Sequence, residues 1–187
     1  STVAIMCADA WYDLFALKST DNGTTWAKTV IWEHPYPLFD WNVTITDTFF
    51  CVDNSADIAI STDNKMHVVF GINRVLHDQV GTSYIYWPYI DGIGYWNEDM
   101  ATFSNDINAL APPQLGYPNT EIITDTSYVG WSQDVDGDGS VTYVDVLSYR
   151  QLGISTMPSI CVDDYNTVFI AYSSTTETYD NGIYNYK

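Results

Sequence analysis

The sequence predicts an all-β fold built from short antiparallel strands. Runs of Val, Ile, Phe, Tyr and Trp alternate with clusters of Asn, Asp, Gly and Pro, which is the pattern of strands separated by turns. Sustained helical periodicity is absent. The chain has 187 residues, of which 46% are hydrophobic, so it is long enough and apolar enough to bury one substantial core.

Eight runs of four to seven residues are predicted to be strands. In chain order they are Thr2–Ala8, Leu14–Ser19, Ala27–Trp32, Asp57–Thr62, Met66–Ile72, Ser83–Trp87, Ser159–Val162 and Val168–Ser173. One short helix is predicted at Tyr143–Gln151, because Val144, Leu147 and Arg150 recur at a spacing of three residues.

Two segments of the chain repeat the same order of elements. Residues 56–71 align without gaps on residues 158–173, and each reads as a strand, an acidic turn and a second strand. An aromatic residue, Phe70 or Tyr172, lies near the end of each second strand. The alternative is that any two β-hairpins look alike. A second spacing supports a repeat, because Asp21 precedes Trp26 by five residues and Asp91 precedes Trp96 by five.

Tandem units of four antiparallel strands predict blades of a β-propeller. Residues 1–35 would supply a partial blade and residues 50–100 a full blade. Residues 101–156 form an insertion, and residues 157–187 begin a further partial blade. About two and a half blades do not close a ring, since propellers have four to eight. We therefore expect the remaining blades on the same precursor or on another chain.

The stretch S-T-D-N-G-T-T-W, Ser19–Trp26, matches the Asp-box pattern S-x-D-x-G-x-T-W at all its fixed positions. In this motif the chain resembles the sialidase-like β-propellers. The resemblance implies a structural clasp at the turn between the third and fourth strands of a blade, away from the catalytic face. The clasp comprises Ser19, Asp21, Gly23 and Trp26, with Asp91 and Trp96 as a degenerate second copy.

Each fixed residue of the motif has a physical role in a tight turn. Asp21 is expected to accept hydrogen bonds from backbone N–H groups across the turn. Gly23 permits a positive φ. Trp26 is expected to fold back on the hairpin and bury apolar area, a contribution on the order of 2–3 kcal/mol.

The segment D-V-D-G-D-G-S-V-T-Y-V-D predicts a calcium loop of the EF-hand type. Its carboxylates alternate at the first, third and fifth positions, glycine follows at the sixth, and Asp at the twelfth resembles dockerin-type loops. The expected ligands are Asp134, Asp136, Asp138, the Ser140 carbonyl, Thr142 and Asp145. The alternative is a solvated acidic turn without metal. Removing calcium should loosen residues 101–156 and lower the melting temperature.

The charge balance narrows the classes of partner. The net charge is −18, from 24 acidic and 6 basic residues, which excludes a phosphate-binding surface for nucleic acid. No apolar run reaches the 18 residues that a membrane-spanning helix needs. Asp-rich turns and a calcium loop favour an extracellular or cell-surface protein.

Cys7, Cys51 and Cys161 are three in number, so at least one thiol has no partner within the chain. Each lies in or beside an apolar run, which favours buried free thiols. A Cys51–Cys161 disulfide is the alternative.

Catalytic signatures are scarce. A sialidase needs an arginine cluster, and the chain has only Arg74 and Arg150. Arg74 follows a strand and is placed to reach an aromatic ring face, and His67 is expected to be a packed residue. The sequence therefore favours a non-catalytic module that binds a glycan or a protein partner. The alternatives are a fragment of a sialidase-like glycoside hydrolase and a structural part of a surface adhesin or secretion-related assembly.

Overall fold

The computed structural model describes residues 1–87, 89–142, 152–175 and 177. In these residues ten strands form three antiparallel sheets, which confirms the all-β prediction. The predicted helix at Tyr143–Gln151 lies outside the described residues, so a helix in the 101–156 segment stays a prediction. None of the described helices has the length and apolar character needed to cross a bilayer.

The first sheet is a three-stranded meander near the N-terminus. Its strands are β1 (Val3–Cys7), β2 (Leu14–Ser19) and β3 (Ala27–Trp32), in the order β1-β2-β3. The sequence-based bounds are reproduced to within one residue. This agreement reflects the strong local signal, because each run is rich in β-branched or aromatic residues and ends at a turn.

The second sheet has five strands in the order β4-β5-β7-β8, with β6 paired to the far end of β5. The bounds are β4 (Phe49–Ile60), β5 (Met66–Leu76), β6 (Ile85–Tyr86), β7 (Ile93–Asn97) and β8 (Tyr128–Gly130). β4 is longer than the predicted Asp57–Thr62 run because it continues across a register shift between Val52 and Ala56. Strand β8 comes from the 101–156 segment and pairs with β7, so this segment completes the second sheet.

The third sheet is a hairpin of β9 (Ser155–Val162) and β10 (Val168–Ser174). Its register equals that of the second sheet at the aligned positions. Ile60 pairs with Met66 as Val162 pairs with Val168. In both hairpins the turn holds an asparagine at positive φ, 65° and 63°. Residues 56–71 and 158–173 therefore form two hairpins of the same register.

The three sheets stack in series, with the second sheet in the middle. A large core lies between the first and second sheets, where Trp32, Phe70 and Leu14 are fully buried. A smaller core around Val69, Ile93 and Ile160 lies between the second and third sheets. Each face of the second sheet is therefore covered by a neighbouring sheet.

The turn at Ser19–Trp26 joins β2 to β3 and lies on the same side of the stack as the turn that joins β4 to β5. The N-terminus connects the two turns, because the Ser1 amino group donates to Asn22 Oδ1 at 2.7 Å and Thr2 Oγ1 donates to Asn64 Oδ1 at 2.7 Å.

The segment Asp91–Trp96 does not form an equivalent turn. His67 pairs with Asn97 and Gly71 with Ile93, which places Asp91 at the opposite end of the sheet from the β4–β5 turn. Trp96 lies inside β7 and is buried. The matched spacing of Asp and Trp was therefore a coincidence of composition.

A closer counterpart of the Asp-box is the second copy of the tetrapeptide S-T-D-N. It occurs at residues 19–22 and again at residues 61–64. In both copies the serine hydroxyl donates to the aspartate carboxylate two residues on, and the asparagine has positive φ. This identity at the level of four residues was the sequence signal that marks equivalent turns.

All three cysteines are free thiols, so the alternative Cys51–Cys161 disulfide is not formed. Cys51 is buried as expected. The expectation of burial is wrong for Cys7 and Cys161, which are exposed because their side chains point to the outer faces of the first and third sheets.

Candidate functional site

The acidic loop begins four residues after β8 and is shaped by its own carboxylates. The Asp134 carboxylate accepts the backbone N–H of Gly137 at 2.7 Å and that of Gly139 at 2.8 Å. Both glycines have positive φ, 73° and 92°, a region that glycine enters without strain. The N–H of Gly139 is the first of several hydrogen bonds that lower the pKa of Asp134.

The next two carboxylates brace the remainder of the loop. Asp136 Oδ1 accepts the backbone N–H of Asp138 at 3.2 Å, and Asp138 Oδ1 accepts that of Ser140 at 2.9 Å. The hydroxyl of Ser140 also donates to Asp138, at 3.0 Å. These bonds hold successive carboxylates of the loop in a fixed order around its centre.

A fourth carboxylate, Glu177, reaches the loop from a distant part of the chain. It is buried, with 1% of its surface exposed. Its Oε2 accepts the backbone N–H of Val135 and its Oε1 that of Thr142, both at 2.7 Å. Glu177 thereby closes the loop between its second and ninth residues. Sequence reasoning missed this residue, because nothing in the local pattern around it indicates a partner 42 residues away.

The four carboxylates converge on one point. Asp134, Asp136, Asp138 and Glu177 each offer an oxygen, and these atoms lie within 4.8 Å of one another. Hard oxygen donors at this density suit a divalent cation, which relieves their mutual repulsion. Ser140 and Thr142 lie in the same loop as predicted. Asp145, the predicted twelfth-position ligand, lies outside the described residues.

An aromatic cleft of about 640 Å³ lies beside the acidic loop. Its wall combines aromatic and aliphatic surfaces with a few polar groups. The lining residues are Tyr89, Asp91, Pro113, Gln114, Leu115, Thr124, Tyr128, Trp131, Ser132 and Val141. Tyr89 and Leu115 remain 57% and 46% exposed, so apolar surface is open to a ligand.

Hydrogen bonds fix the floor of the cleft. The rings of Tyr128 and Trp131 are parallel within 3°, with centroids 5.3 Å apart. The Tyr128 hydroxyl donates to the backbone carbonyl of Asp91 at 2.8 Å and accepts from Gln114 Nε2 at 2.6 Å. The Asp91 carboxylate accepts both the backbone N–H and the hydroxyl of Ser132, at 2.9 and 2.5 Å. The floor is thus preorganised before any ligand arrives.

The cleft and the acidic loop share one piece of chain. Trp131 and Ser132 line the cleft just before the loop begins at Asp134, and Val141 lines it near the loop's end. The backbone of Trp131 is also fixed to the third sheet, because Tyr172 Oη donates to its carbonyl at 2.9 Å. A change in the conformation of the acidic loop would therefore move residues that form one wall of the cleft.

Arg74 packs among aromatic rings, as expected from its position after a strand. Its guanidinium carbon lies 4.9 to 5.3 Å from the ring centroids of Phe50, Trp87 and Tyr117. Arg150, the second arginine, lies outside the described residues.

The Asp-box residues form the expected hydrogen-bonded turn. Asp21 accepts the backbone N–H of Thr25 at 2.8 Å and its hydroxyl at 2.7 Å, while the Ser19 hydroxyl donates to Asp21 at 2.8 Å. These bonds, the Thr25 N–H first, lower the pKa of Asp21 to about 2. Trp26 donates from Nε1 to the carbonyl of Gly23 at 3.1 Å but stays 41% exposed. Its apolar burial is therefore smaller than the sequence-based expectation.

Comparison of the chain with protein-family models, with curated proteins and with solved structures gives no match. The resemblance to sialidase-like propellers consequently rests on the Ser19–Trp26 motif.

Proposed function

We propose that this chain is a calcium-stabilised binding module of the sialidase-like β-propeller type, secreted or displayed at a cell surface. In this proposal the aromatic cleft beside the acidic loop binds a carbohydrate. The observation that carries it is the convergence of four carboxylates on a loop that also forms one wall of that cleft.

The propeller part of the proposal is supported by the serial stacking of three antiparallel sheets. Two of the sheets contain hairpins in the same register, and their turns lie side by side, because the Thr62 hydroxyl donates to Asn166 Oδ1 at 2.7 Å. Sheets that repeat around a common direction with equivalent turns on one side are what adjacent propeller blades provide.

The calcium part is supported by the donor set. The carboxylates of Asp134, Asp136 and Asp138 are exposed or half-exposed, and Glu177 adds a buried one with both oxygens already held by N–H groups. Calcium accepts six to eight oxygens in a flexible shell, whereas magnesium requires a tighter octahedron. Bound calcium would neutralise a cluster that otherwise repels itself.

The carbohydrate part is supported by the chemistry of the cleft wall. Aromatic rings present flat apolar faces that suit the C–H face of a sugar ring. The amide of Gln114 and the hydroxyl of Thr124 lie at the same wall and suit sugar hydroxyl groups. A glycoside hydrolase would need two carboxylates at the reacting bond. Among the described lining residues only Asp91 carries one, and it is held by Ser132. Binding is therefore favoured over hydrolysis.

The test is a glycan array probed with the purified chain in calcium and again in a calcium chelator. Retention of a defined set of glycans in calcium, lost in chelator, supports the proposal. Tyr89→Ala should abolish retention because it removes exposed ring surface from the cleft. Tyr165→Ala is the matched control, since Tyr165 is 90% exposed and does not line the cleft. Equal glycan retention by the two variants would reject the cleft, and turnover of a fluorogenic glycoside would favour the hydrolase.

A further inference from the structure

Each face of the second sheet packs against a different neighbouring sheet. Ile58, Val68 and Phe70 point to one side and pack into the core shared with the first sheet. Ala59 and Val69 point to the other side and pack into the core shared with the third sheet. Successive residues of a strand face opposite sides, so the two sets define a preceding face and a following face.

The third sheet repeats this pattern, and no described part of the chain covers its following face. Ile160, Ile170 and Tyr172, which align with Ile58, Val68 and Phe70, pack against the second sheet. The residues aligned with Ala59 and His67 are Cys161 and Phe169, which pair with each other across the strands as Ala59 and His67 do. Phe169 is 52% exposed, and Met157 on the same strand face as Cys161 is 54% exposed. A face that carries a sheet in one repeat is open in the next.

The first sheet shows the complementary situation. Ala4 and Met6 pack into the core shared with the second sheet, so that side is its following face. Val3 and Ile5 alternate with them and are 41% and 54% exposed, next to the exposed thiol of Cys7. Across the strands Ile5 pairs with Leu17 and Cys7 pairs with Phe15, and both partners are only half-buried. The preceding face of the first sheet is therefore apolar and open.

We propose that the preceding face of the first sheet packs on the following face of the third sheet in a second copy of this chain. The two copies would thus meet head to tail, in the relation that the second and third sheets already have within one chain. One open face is a preceding face and the other is a following face. Within the chain, the following face of one sheet packs against the preceding face of the next, so the two open faces can pack against each other in the same way. Such a contact is heterologous, and two copies that use both faces close into a ring of six sheets.

Charge sets a condition for this association. Each copy carries a net charge of −18, so two copies repel at low ionic strength. Within the described strands β1–β3, Lys28 is the one charged residue on the open face. Its ammonium lies 4.4 Å from the centroid of the Phe15 ring and 3.9 Å from a carboxylate oxygen of Asp13, which flanks β2. Association therefore depends on the apolar faces and should strengthen as salt screens the remaining charge.

The test is sedimentation velocity of the chain and of two variants that place a charge on one face each. Wild type should sediment as an assembly of at least two copies. Ile5→Lys and Phe169→Lys should each be monomeric alone, and a mixture of the two should form a dimer, since one intact face of each type remains. Leu38→Lys is the control, because Leu38 is 97% exposed and lies on neither face.

Thiol labelling gives an independent readout on the unmodified chain. In a monomer Cys7 and Cys161 should react with a maleimide, whereas Cys51 should not because it is buried. In the head-to-tail assembly both outer thiols should be protected until dilution separates the copies. A wild type that stays monomeric with two reactive thiols would overturn the proposal. So would an assembly that Phe169→Lys disrupts and Ile5→Lys does not, or a mixture of the variants that stays monomeric.

Discussion

Removing calcium from the solution is the perturbation that bears most directly on the proposed metal site in the acidic loop. Four carboxylates within 4.8 Å of one another would be left without a counter-ion. The loop would keep its internal N–H···carboxylate bonds but lose the ion at their centre. We expect the folded state to be destabilised by the whole binding free energy at the working calcium concentration, because the unfolded chain holds no equivalent cluster.

The size of the effect follows from linkage. For a dissociation constant of about 10 µM, the weak end of the range for sensor loops, about 1 mM calcium stabilises the fold by about 2.7 kcal/mol. In a domain of this length, each kcal/mol moves the melting temperature by about 2–4 °C. Calcium should therefore raise the melting temperature by about 5–11 °C relative to chelator.

Scanning calorimetry in calcium, magnesium and chelator measures this shift. Glu177→Gln should lose most of the calcium increment, since among the described carboxylates of the cluster Glu177 is the one that comes from outside the loop. Asp164→Asn removes the same charge from an exposed turn and should keep the increment. A melting temperature that calcium does not move would refute the metal site. A full increment in Glu177→Gln would refute Glu177 as a ligand.

Three further predictions concern the sheets. Asp21 has a folded pKa of about 2 against an ordinary 3.8, so its contribution is present above pH 3.8 and is lost as pH falls towards 2. Urea midpoints of wild type should fall more steeply than those of Asp21→Asn over that window, and parallel curves would contradict this. Burial raises the pKa of Asp53, so its ionised form costs stability as pH rises above 3.8. The midpoint of Asp53→Asn should therefore improve relative to wild type with rising pH, and a constant difference would count against it. A Cβ at Gly71 would lie 2.3 Å from the Asp53 carboxylate, so Gly71→Ala should lower the free energy of unfolding by about 1–3 kcal/mol. In an Asp53→Ala background, Gly71→Ala should cost less than it does in the wild type, and strict additivity of the two substitutions would show that they do not clash.

Local sequence patterns predicted much of the fold. The first sheet and both repeated hairpins were predictable because each strand is a short apolar run that ends at a turn of fixed chemistry. The tetrapeptide at residues 19–22 and 61–64 shows why, since a serine hydroxyl, an aspartate and an asparagine with positive φ build the turn from residues adjacent in sequence. The positions of the carboxylates and glycines in the acidic loop were predictable for the same reason.

The Asp91–Trp96 comparison shows where such patterns mislead. The spacing of an acid and an indole is the same as in the Asp-box, but Trp96 is a buried strand residue and Asp91 holds Ser132 across the cleft. The same separation between an aspartate and a tryptophan does not specify a turn when the residues between them lack the turn chemistry.

The sequence by itself determined the strands of the first sheet, the two aligned hairpins with their turns, and a cluster of three carboxylates, because hydrogen bonds within a few residues depend only on the local order of side chains. The tertiary structure alone decided that β8 completes the second sheet, that Glu177 closes the loop, and that Cys7 and Cys161 face outward. These features depend on contacts between residues tens of positions apart. Such contacts follow from how apolar sheet faces stack to escape water, and no window of sequence records which face meets which.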